Sequence, residues 1–204
     1  MGTWKIDPAH TDVSFSAKHM MITTVRGKFD RVEGALDLDE EQPSRSSGEL
    51  RVGAASLSTG FEARDQHLRS ADFFDTDRHE WILVRTTSVE PSDGGHYAVT
   101  ADVTIRGVTR PVTFDVEFLG TTWGLSGARH AGFSARARVN RKEWGLNWNM
   151  ALEAGGWLVG DEIKLAIEVA ADEVAAADEV AAADEVAAAG GAPPEVASAR
   201  DVAA

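Results

Sequence analysis

From Thr3 to Val169 apolar and polar residues exchange places with a period of two, segment after segment. This is the pattern of strands with one buried and one solvated face. Val13, Phe15, Ala17 and His19 share a face against Ser14, Ser16 and Lys18. Val25, Gly27 and Phe29 continue it, and the parity then shifts to Val32, Gly34, Leu36 and Leu38, which predicts a bulge near Asp30-Arg31. Further rows follow at Leu50, Val52 and Ala54 and at Ile82, Val84 and Thr86. Tyr97, Val99, Ala101, Val103 and Ile105 form another, and Val112, Phe114, Val116 and Phe118 the next. Phe133, Ala135, Ala137 and Val139 repeat the scheme, as do Ile163, Leu165, Ile167 and Val169. Asp93-Gly94-Gly95 is a hairpin signal, and Gly107 to Pro111 turns the chain between two of these rows.

About eight one-sided antiparallel strands cannot hide their apolar faces in a flat sheet. The sequence therefore predicts an all-β fold, an eight-stranded antiparallel barrel. At that size the lumen is either filled by side chains or holds one ligand. Periodicity leaves that choice open.

One segment breaks the alternation. Thr59-Gly60-Phe61-Glu62 fits a capping box with Thr59 as N-cap, predicting a short helix. Phe61, Asp65, Leu68 and Asp72 fall on one helical stripe, with Arg64 and His67 beside it, and Asp65 and Arg69 are spaced for an ion pair. Phe73 and Phe74 close the segment, which is the densest in charge in the chain.

Composition adds boundaries. The chain has 204 residues and no cysteine, which removes thiol nucleophiles, iron–sulfur clusters and disulfides. From Ala170 the motif Ala-Ala-Asp-Glu-Val-Ala occurs three times before Gly190-Gly191. Six residues advance about 600° on a helix, so Val174, Val180 and Val186 make no apolar stripe. Residues 1–169 are thus expected to form the barrel and 170–204 an acidic low-complexity tail, partly helical or disordered, with a solubilising role. The net charge of −13 weighs against nucleic acid and anionic bilayers as partners. There is neither a basic-then-apolar leader nor an apolar run of membrane-spanning length, so a soluble, cytoplasmic protein is expected.

The candidate chemistry is thin. His10, His19, His67, His79, His96 and His130 have no HxH, HxxxH or HExxH spacing, so no metal is expected. His67 with Asp65 or Asp72 could form an acid–base dyad for an enzyme acting on an amphiphile, but no serine elbow, phosphate loop or carboxylate pair accompanies it. Ion pairs on a helix surface account for the same residues and are the preferred reading. His19 faces inward on its strand and needs a hydrogen-bond partner, from the protein or from a ligand head group. Arg106 and Arg110 make one barrel end basic.

Five motifs in order carry a resemblance: Trp4 to Thr11 (WKIDPAHT), Phe15 to His19 (FSAKH), Val25 to Phe29 (VRGKF), Arg64 to Asp75 (RDQHLRSADFFD) and Val103 to Val112 (VTIRGVTRPV). Together they resemble the YceI-like family. The resemblance implies an extended lipocalin-like barrel, without catalytic activity or resident cofactor, whose apolar cavity holds a polyisoprenoid, isoprenoid quinone or similar long-chain amphiphile. Roles in transport and in stress or alkaline response are implied with it. By this analogy Phe15, Phe29, Phe73, Phe74, Val103, Ile105, Phe114 and Phe133 line the lumen. His19, Arg64, Asp65 and His67 would meet the head group or fasten the mouth. A homodimer is compatible with the pattern, and a filled barrel serving as an interaction module is the alternative to a carrier.

Overall fold

The computed structural model describes residues 1–124, 127–153 and 155–174. Its strands are β1 (Gly2–Ile6), β2 (Asp12–His19), β3 (Thr23–Phe29), β4 (Val32–Leu38), β5 (Ser47–Gly53), β6 (Leu57–Ser58), β7 (Trp81–Pro91), β8 (His96–Ile105), β9 (Val108–Trp123), β10 (Arg129–Asn140) and β11 (Val159–Glu173). Hydrogen bonding closes the ring β1-β4-β5-β7-β8-β9-β10-β11 back onto β1, every pair antiparallel. β1 and β2 lie end to end along β11, at Ala171–Glu173 and Val159–Glu168 respectively. β3 continues β4 beside β2, and β6 continues β5 beside β3. The result is a closed barrel of eight staves, three of them broken.

The break between β3 and β4 falls where the parity shift predicts it. Asp30 N–H donates to the Ser56 carbonyl (3.3 Å), Arg31 N–H to Ser56 Oγ (3.0 Å) and Gly53 N–H to the Arg31 carbonyl (2.8 Å). The unpaired backbone groups of the bend thus find partners in the matching break of β5 and β6. The β8–β9 hairpin turns on Arg106 and Gly107, both with φ near +50° to +75° (52° and 73°). That left-handed pair is the geometry of a tight two-residue hairpin.

Two expectations at the element level are corrected. The last strand runs to Glu173, past the boundary placed at Val169, and Ala171 is 0% exposed opposite Ile6. Ala170–Glu173, the start of the first repeat, is strand because it alternates in register: Ala171 points in, and Asp172 points out to His130 Nδ1 at 2.5 Å. Residues 175–204, the rest of the tail, lie outside the described residues. The helix α1 (Glu62–Arg69) starts two residues later than the capping box implies, with Phe61 as N-cap and no side-chain cap. Thr59 is taken elsewhere: its Oγ1 donates to the Asp65 carboxylate, which also accepts Thr59 N–H at 3.0 Å.

Among the described residues α1 is the single α-helix, and no helix is long and apolar enough to cross a membrane. It covers the barrel end where β5 breaks toward β6, its Arg69 bonded to the Ala55 and Leu57 carbonyls there.

Candidate functional site

The two halves of the lumen differ in side-chain size. Toward α1 the inward positions carry bulk. Phe15, Phe29 and Phe74 pack with ring centroids 5.4 and 5.8 Å apart, and Phe73 lies 5.5 Å from Trp148. Trp144 is 1% exposed and donates its Nε1–H to the Val103 carbonyl at 3.0 Å. Gly27 lies opposite Phe15, and a Cβ there would fall 2.5 Å from the Phe15 ring, so the glycine is what lets the ring lie across β3.

Toward the β4–β5 and β7–β8 connections the inward positions shrink to Gly48, Ala101 and Ala135. The walls there are Phe114, Phe118 and Phe133, the last two packed at 5.2 Å. The space left is a cavity of about 230 Å³. Its lining is almost wholly apolar. Most of its polar lining residues, Asp37, Glu40, Ser46, Ser47 and Glu49, come from the rim built by β4, β5 and their connection. Such a site binds by removing hydrocarbon from water and uses its few polar groups for orientation.

Of the residues expected in the lumen, Phe114 and Phe133 line this cavity. Val103 and Ile105 share the inward face of β8 with cavity-lining Ala101 but lie toward the filled half. Phe15, Phe29, Phe73 and Phe74 form the aromatic packing of that filled half. His19 ends β2 opposite Val159 and is half-buried, away from the cavity lining. Arg64, Asp65 and His67 are on α1, also away from it.

The charged cluster of α1 is occupied structurally. Asp65, 3% exposed, holds Thr59 as described. Arg64 donates from Nε to Thr59 Oγ1 (2.7 Å) and from Nη2 to the Thr59 carbonyl (3.0 Å). Arg69 does not form the expected pair with Asp65. It donates to the carbonyls of Ala55 (2.9 Å) and Leu57 (2.7 Å), while Asp65 is turned toward Thr59. His67 Nε2 meets Asp72 at 2.9 Å, both on the surface, with its ring edge-on to Trp148 at 4.5 Å. These bonds fasten a helix over a barrel end. Among the described residues no three histidine or acidic side chains are placed to hold a metal ion.

Two arginines not singled out from the sequence organise opposite parts of the barrel. Arg129 reaches Glu40 (2.7 Å) and Glu173 (3.3 Å), tying the cavity rim to the ends of β10 and β11. The Glu40 carboxylate raises the Arg129 pKa above the ordinary arginine value. Arg141, 3% exposed, donates to the carbonyls of Gly160 (3.1 Å), Trp148 (2.9 Å) and Leu146, and to Asp161 (3.2 Å). Burial lowers its pKa and Asp161 partly restores it. Both draw partners from distant segments, so no local motif marks them.

Comparison with known proteins gives a consistent picture. The family model described as YceI-like domain matches residues 4–171. A UPF0312 protein of Staphylococcus aureus (strain USA300) is 37% identical over 165 residues, covering 80% of this chain and 94% of its own. Among solved structures, a Campylobacter jejuni YceI protein superimposes with a TM-score of 0.65 at 27% identity, covering 78% of this chain and 90% of that one. A polyisoprenoid binding domain from Saccharophagus degradans, implicated in plant cell wall breakdown, shares the fold with a TM-score of 0.62 at 12% identity, covering 85% of this chain and 100% of that one.

Proposed function

This chain belongs to the YceI-like domain family, and we propose that it is a non-catalytic binding protein that takes the apolar part of an isoprenoid-type amphiphile into its barrel. The observation that carries the reading is the apolar cavity of about 230 Å³ enclosed by a closed sheet. Burying hydrocarbon there is worth about 25 cal/mol per Å², so affinity comes from the walls and orientation from the rim. The polyisoprenoid-binding description of the Saccharophagus degradans domain supports the ligand class. The pinning roles of Arg64, Asp65 and Arg69 support a structural use of the one segment that looked catalytic.

The test is native mass spectrometry of the gently purified full chain, before and after exposure to prenyl alcohols and isoprenoid quinones. A one-to-one hydrophobic adduct, removed by organic extraction and restored by the offered lipid, is the expected result. A clean unliganded mass with no uptake would overturn the reading.

A further inference from the structure

We propose that the cavity is a short-chain site for lipids with an uncharged head, accepting about ten carbons of apolar chain and disfavouring phosphorylated ones. This rests on the function proposed above and narrows its ligand.

Length follows from volume and floor. An apolar cavity of about 150 Å³ accommodates a benzene ring. A cavity of about 230 Å³ therefore takes roughly nine or ten carbons, or two isoprene units. It cannot simply run deeper. The next inward residues along the same strands are Val52 after Leu50, Val103 after Ala101 and Val112 before Phe114, and all are buried. Phe29, also buried, leads from this belt into the packing of Phe15 and Phe74. A chain longer than the cavity must leave carbons at the mouth or displace close-packed rings, and neither adds affinity.

Head-group choice follows from the rim. Glu40 stands at it with its carboxylate on Arg129, Asp37 and Glu49 alternate with inward Leu36, Leu38, Gly48 and Leu50 and so face outward, and no lysine or arginine lines it. The arginines nearest in the ion-pair pattern are engaged: Arg129 with Glu40 and Glu173, Arg85 with Glu49 (2.7 Å), Arg45 with Asp39 (3.7 Å). A diphosphate would meet apolar wall and the Glu40 carboxylate without a free cation to receive it. A hydroxyl or carbonyl head carries no such penalty and has Ser46 and Ser47 at the rim.

The experiment is equilibrium binding of the full chain to prenol, geraniol, farnesol, geranylgeraniol and geranyl diphosphate. Affinity is expected to rise at least about tenfold from prenol to geraniol, then to change by less than about threefold through geranylgeraniol. Geranyl diphosphate should bind at least about tenfold more weakly than geraniol, the gap narrowing with salt. Continued tightening from geraniol to geranylgeraniol, or diphosphate binding as tight as the alcohol, overturns the inference while leaving the binding function standing. Binding of none of the alcohols or longer prenyl lipids overturns both. As an independent check, Val103→Ala with Val112→Ala lowers that floor and should shift the plateau from geraniol toward farnesol, with Val103→Ala alone as the milder substitute if the double variant does not fold. An unmoved plateau in a folded variant contradicts the proposed floor.

Discussion

At the scale of single residues, buried polar side chains decide more here than their charge suggests. Asp65 is the clearest case, because its carboxylate accepts both the backbone N–H and the hydroxyl of Thr59. Asp65→Ala leaves those donors without an acceptor and should cost about 2–3 kcal/mol in urea unfolding. Arg141→Ala strips three carbonyls of their donor and should cost about 3 kcal/mol by the same measurement. The surface pair His67–Asp72 behaves differently, since His67 is 37% and Asp72 53% exposed. His67→Ala should cost only about 1 kcal/mol and leave lipid uptake unchanged; a lost turnover activity with intact uptake would instead make the pair catalytic. Asp7 and His10 give a pH signature. The hydrogen bond that His10 Nδ1–H donates to the Asp7 carboxylate raises the His10 pKa, and the same bond lowers that of Asp7. The paired state therefore fades as pH rises through the raised histidine value, and on the acid side as pH falls through the lowered carboxylate value. An NMR titration should find the His10 midpoint above the ordinary histidine value and Asp7→Asn should bring it down.

At the scale of elements, the strands were legible because burial on one face imposes a period of two, and the broken stave at Asp30-Arg31 was legible because a bend resets that parity. The start of α1 was not. Thr59 and Glu62 have capping-box spacing, but a buried carboxylate six residues on competes for the same threonine and wins. The end of β11 was hidden for another reason: Ala170–Glu173 has the composition of the low-complexity repeat, and only its pairing with β1 and β10 marks it as strand. α1 and the turn after it plug one end of the barrel through Phe73, which is buried against His67 and Trp148. Phe73→Ala should cost about 3–5 kcal/mol and raise hydrogen exchange in α1 more than in β8 and β9. Uniform loss of protection across the barrel would mean that the helix is not a separate plug.

For the whole molecule, the question that periodicity left open resolves unevenly along the axis: large inward residues fill the half beneath α1, and small ones leave the other half hollow. The sequence carries every one of those residues, but which alanines face which phenylalanines across the lumen depends on stave order and stagger, which local patterning does not encode. For that reason Phe114 and Phe133 were found at the cavity and the other aromatics were placed in the lumen without being at its hollow part. In the proposed function, lipid binds inside this hollow half. The most direct measurement is prenyl-alcohol uptake by Ala135→Trp, which puts an indole into the cavity from its β10 wall, compared with the unaltered chain. An unchanged far-ultraviolet circular dichroism spectrum and at least about tenfold weaker binding are expected; a folded variant that takes up the alcohol as tightly as the unaltered chain would rule out lipid binding there.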